Sequence, residues 1–75
     1  MPHVAVKLYP GRSEQQKERL AAAIVEDLVA ITGCGEESVS VSIEDVPPGE
    51  WKERVYEPEI ARPRGKLYKK PGYSM

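Results

Sequence analysis

The sequence predicts an α/β fold: a βαβ unit with a two-stranded parallel sheet per subunit, extended across a dimer. Three observations carry that expectation. Residues 3–8 and 39–43 alternate apolar and small or polar side chains, the period of a strand with one covered face. Between them, residues 14–32 repeat their apolar positions at helical spacing. A connection of about thirty residues joins the two alternating runs, the length of a crossover between parallel strands, which is right-handed in nearly all proteins.

Each element has its own local cause. In the first strand Val4, Val6 and Leu8 face one way, and His3, Ala5 and Lys7 the other. Pro2 opens it, a position where proline is tolerated. Tyr9-Pro10-Gly11-Arg12 ends it, since Pro-Gly marks a turn. Ser13 with Gln16 three residues on is a capping-box pattern, and Glu14 puts negative charge where the helix dipole favours it. The helix carries Leu20, Ile24, Leu28 and Ile31, with Ala21, Ala23 and Val25 alongside, as one wide apolar stripe. Gly33-Cys34-Gly35 closes it, and either glycine can take the left-handed position past the last turn.

Val39, Val41 and Ile43 then form the inward side of the second strand, with Ser40 and Ser42 outward. Pro47-Pro48-Gly49 turns the chain. Residues 50–57 are expected to form a short helix with Trp51 and Val55, stopped by Pro58. Residues 60–75 form a basic tail with five cations and no acid, whereas 36–59 hold eight acids and two cations. That split predicts a tail docked on acidic surface, its own or a partner's, or else a solvated one.

Seventy-five residues make one domain, 1–75. A chain this short hides only about 60% of its unfolded surface and needs a disulfide set, a metal or a partner chain. One cysteine, Cys34, and one histidine, His3, supply neither of the first two. A homo-oligomer is the remaining route. It would also cover the two open edges of a two-stranded sheet. The Ser40 and Ser42 face is too polar for deep burial against another sheet, which favours a dimer over a larger ring. A net charge of −1 gives no reason to expect nucleic acid. No apolar run reaches membrane length, so no membrane association is expected. The lone cysteine and the lack of a charged-then-apolar leader suggest a cytoplasmic protein.

One residue suggests chemistry. If Met1 is removed, Pro2 presents a free secondary amine. An α-amino group ordinarily titrates at about 7.7–8.0. Apolar packing or a neighbouring cation lowers such a group toward neutrality, where a general acid/base works best. Alone, however, Met-Pro is also just a common way to begin a strand.

Pro2, the Gly11-Arg12-Ser13-Glu14-Gln15-Gln16-Lys17 junction, Ser38-Val39-x-Val41 and Trp51 together resemble the 4-oxalocrotonate tautomerase family. The closing Lys69-Lys70-Pro71-Gly72-Tyr73-Ser74-Met75 is similar to the tail of its dimeric phenylpyruvate (PptA-like) branch. The resemblance implies a cytosolic isomerase using no cofactor and no metal. It implies that Pro2 moves a proton between carbon and oxygen of a 2-keto acid and its enol. Arg12 would then hold the substrate carboxylate or steady developing charge, and Trp51 would wall the pocket. Well-studied members of the family carry a second arginine where this chain has Ser40. That difference favours a small-molecule monocarboxylate such as phenylenolpyruvate over a dicarboxylate, with Ser40 a candidate hydrogen-bond partner for it. Without the resemblance, Arg12 reads as an exposed turn residue, Trp51 as packing, Ser40 as a solvated strand residue, His3 as packing or surface, and Tyr9, Tyr56, Tyr68 and Tyr73 as packing. Two other functions share these residues: a hydratase or dehalogenase using the same proline, and a non-catalytic dimeric interaction module.

Overall fold

A computed structural model describes all residues, Met1–Met75, as two compact units, Met1–Asp45 and Val46–Met75. In the first, β1 (His3–Leu8), α1 (Glu14–Thr32), a 3-10 turn (Glu36–Ser38) and β2 (Ser40–Asp45) follow in order. β1 and β2 pair in parallel, with His3 opposite Ser40 and Leu8 opposite Asp45. This is the expected βαβ unit.

Local chemistry sets the ends of α1. The Ser13 hydroxyl accepts the Gln16 backbone N–H at 3.1 Å, and the Gln16 side chain accepts the Ser13 N–H at 2.9 Å. Two otherwise unpaired groups of the first turn are thereby satisfied. Gly33 is the glycine that turns left-handed, at φ 78°, and its N–H bonds the Val29 carbonyl. Gly35 stays extended. Gly11, at φ 122°, takes a conformation that side-chain-bearing residues rarely adopt, and so turns the chain from β1 toward Arg12 and the cap.

A salt bridge ties the start of α1 to the end of β2. The Lys17 ammonium donates to Asp45 Oδ2 at 3.0 Å and lies 3.7 Å from Glu14. The hydrogen bond to Asp45 is the main reason that the Lys17 ammonium titrates above its ordinary value of 10.5, although desolvation pulls it down. A group raised on folding stabilises the fold below its unfolded pKa and loses that contribution as pH climbs through the folded value. The thermal midpoint should therefore fall more steeply above pH 10.5 in the native sequence than in Asp45→Asn, as read by calorimetry.

The apolar stripe of α1 is used on one side only. Ala21, Ile24, Val25, Leu28 and Val29 are half-buried, but Leu20 is 38% and Ile31 82% exposed. No residue of Met1–Asp45 is fully buried. Two strands about 4.8 Å apart are narrower than the face a 19-residue helix offers.

In the second unit the structure departs from expectation. α2 begins at Pro48, earlier than the expected residue 50, with proline in the first helical position where its missing N–H costs nothing. Beyond Trp51 the helix does not stop before Pro58. It widens into a π-helical stretch, Lys52–Ala61, that includes Pro58. In an α-helix this ring would clash with the carbonyl four residues back. The wider turn, seen where the Arg62 N–H reaches the Glu57 carbonyl at 3.2 Å, relieves that clash. Val46 and Val55 are the buried side chains of this unit. No helix in the chain is long and apolar enough to cross a membrane.

Candidate active site

Pro2 is half-buried at the head of β1, and the Met1 before it is fully exposed. Its carbonyl accepts the Ser40 N–H at 3.2 Å. The Ser40 hydroxyl meets His3 Nδ1 at 2.7 Å. Ser40 thus grips the Pro2–His3 segment twice, once through the backbone and once through its side chain. Both His3 and Ser40 are exposed, on the sheet face opposite the half-buried valines. Strand alternation placed them there; their pairing needed the parallel register and is invisible in the sequence.

Arg12 lies at the other end of the unit. It lines a groove of about 230 Å³ with Leu8, Gln16, Lys17 and Leu20. Val4, by contrast, shares a groove with Leu28, Ile31 and Thr32 at the far end of α1. From His3 to Leu8 the strand advances about 17 Å. Pro2 and Arg12 of one protomer therefore do not meet. Because Lys17 is taken up by Asp45, exposed Arg12 is the cation this groove offers to a carboxylate.

Trp51, in the second unit, is half-buried at the end of α2. Its indole N–H donates to the Tyr73 hydroxyl at 3.0 Å. The Tyr73 ring also lies 5.8 Å from Tyr56, tilted by 40°. An aromatic contact therefore joins the basic tail to the helical part of this unit. The sequence marked Tyr56 and Tyr73 only as packing residues. A usable signal was the five-residue step from Trp51 to Tyr56, which points about 140° apart on an α-helix but shares a side once the turn is widened.

A groove of about 650 Å³ runs along α1 beside Val41 among Ala21, Val25 and Val29. It holds none of the residues singled out for chemistry.

The family described as "Tautomerase enzyme" matches residues 2–52, beginning at Pro2. A tautomerase PptA of Klebsiella pneumoniae is 43% identical, with all of both chains covered. A second PptA, from an Enterobacter species, is 41% identical, again over the full length of both. Among solved structures, a heterohexamer 4-oxalocrotonate tautomerase from Chloroflexus aurantiacus is 31% identical, with a TM-score of 0.65 over 68% of this chain and 82% of that one. The chain belongs to the tautomerase family. It is an isomerase with keto–enol tautomerase activity, and the reading as a non-catalytic module falls away.

Proposed function

We propose that the chain ketonises the enol of a 2-keto monocarboxylate such as phenylenolpyruvate, with Pro2, freed of Met1, as the general acid/base. The placement of Pro2 carries this reading. It stands half-buried at the head of the sheet, held through its carbonyl by Ser40, behind a fully exposed residue whose removal disturbs no packing. In ketonisation the enol loses its hydroxyl proton, the C2–O bond becomes C=O, and the C2=C3 bond becomes single as its electron pair takes a proton at C3. One amine can serve both transfers if it is neutral when it accepts and charged when it delivers.

Arg12 grips the substrate carboxylate, bidentate geometry being the strength of a guanidinium, and so fixes C3 near the nitrogen. Since Pro2 and Arg12 stand at opposite ends of a protomer, that arginine comes from a second copy. A symmetric homodimer fits the half-used stripe on α1, with Leu20 and Ile31 exposed. Trp51 forms the apolar wall. Ser40 serves first to hold the Pro2–His3 segment, and its exposed position also allows a bond to substrate. Residues 1–75 act as one functional domain, matching full-length relatives. The cytosol suits a lone thiol such as Cys34.

The state of the N-terminus tests this directly. Protein lacking Met1, verified by mass spectrometry, should turn over phenylenolpyruvate. Protein retaining Met1 has an amide at that nitrogen and should be slower by about 10²–10⁴-fold. Equal turnover by both would remove Pro2 as the base.

A further inference from the structure

Trp51 is the chain's single tryptophan, and its partner comes from the last three residues, 22 positions away. A half-buried indole N–H requires an acceptor; left unpaired it costs more than the bond contributes. Here the Tyr73 hydroxyl is the acceptor, at 3.0 Å. The same phenol ring lies against Tyr56 at 5.8 Å, within the range of favourable aromatic pairs. Trp51, Tyr56 and Tyr73 thus form a three-ring surface within Val46–Met75. Residues 62–75 contain no helix or strand, so side-chain contacts such as these hold the end of the chain in place.

We propose that Tyr73 is a positioning residue: it holds the plane of the Trp51 indole and makes the C-terminal segment part of a wall selective for aryl-bearing substrates. The proposal rests on reading Trp51 as the apolar wall. With its N–H engaged at the edge by Tyr73, the indole is fixed in one orientation, and a flat substrate ring can stack on it. Without that acceptor the N–H loses its bond to Tyr73 and the indole plane is held less firmly. An alkyl substrate, which needs apolar area but no particular plane, is much less sensitive to this change.

Tyr73→Phe retains the ring against Tyr56 and deletes only the acceptor. Acrylamide quenching of the single tryptophan should increase in this variant. The Kd for 3-phenylpropionate and the KM for phenylenolpyruvate should each rise about fivefold. The kcat should stay within about twofold, and the Kd for butyrate should not change. Trp51→Phe removes the donor instead. It should weaken 3-phenylpropionate binding, read by calorimetry, and Tyr73→Phe should add nothing further to it. Unchanged quenching in Tyr73→Phe would sink the latch. Increased quenching with an unaltered Kd for 3-phenylpropionate, or no binding of it by the native chain, would show that the latched indole is not a substrate wall. If 3-phenylpropionate binding shifts as stated but the native chain turns over no enol, the assigned reaction fails and the aryl wall stands.

Discussion

Pro2→Ala, made in protein with the first methionine removed, is expected to slow ketonisation of phenylenolpyruvate by about 10²–10⁴-fold. The circular dichroism spectrum and oligomeric state should be unchanged. Alanine keeps an amine, so the loss arises from placement as much as from basicity. The pyrrolidine ring locks φ and presents the nitrogen in one direction, whereas an alanine terminus rotates freely and loses the advantage of a held reactant. The fold should tolerate the change because the contact that pins this residue, its carbonyl accepting the Ser40 N–H, is a backbone one that alanine also makes. A variant retaining native kcat would remove Pro2 from the reaction.

Arg12→Ala should be similarly damaging, and the two defects should complement each other. In a symmetric dimer whose sites each take Pro2 from one protomer and Arg12 from the other, a heterodimer of Pro2→Ala with Arg12→Ala has one doubly damaged site and one intact site. Random re-pairing of equal amounts of the two inactive proteins should restore about one quarter of native activity. Measured after dissociation and reassembly, such recovery requires the two residues to come from different chains. A mixture that stays inactive while exchanging subunits would place Pro2 and Arg12 in the same protomer, against the separation of about 17 Å along β1.

The βαβ unit was legible because its causes are local. Val4, Val6 and Leu8 alternate against His3, Ala5 and Lys7, and the half-buried positions of β1 follow that pattern, with Lys7 added through its long side chain. Ser13 and Gln16 form the capping box their spacing announced. Where two local options were equal, at Gly33 and Gly35, the sequence could not choose, and the structure turns left-handed at Gly33. Pro58 misled because its effect depends on helix type: it blocks an α-helix but fits a widened turn. Ser40 read equally well as a substrate contact or a solvated residue. Its link to His3 spans 37 positions and exists only once the strands pair in parallel.

By itself the sequence determined the βαβ elements, their order and the family, because periodicity, caps and turns act over a few residues and leave their mark in every short window. The tertiary structure alone decided which of the chosen residues meet. It set Pro2 and Arg12 at opposite ends of one strand, drew Ser40 to His3, and brought Tyr73 to Trp51. Such distances follow from strand register and chain reversal, which couple residues tens of positions apart.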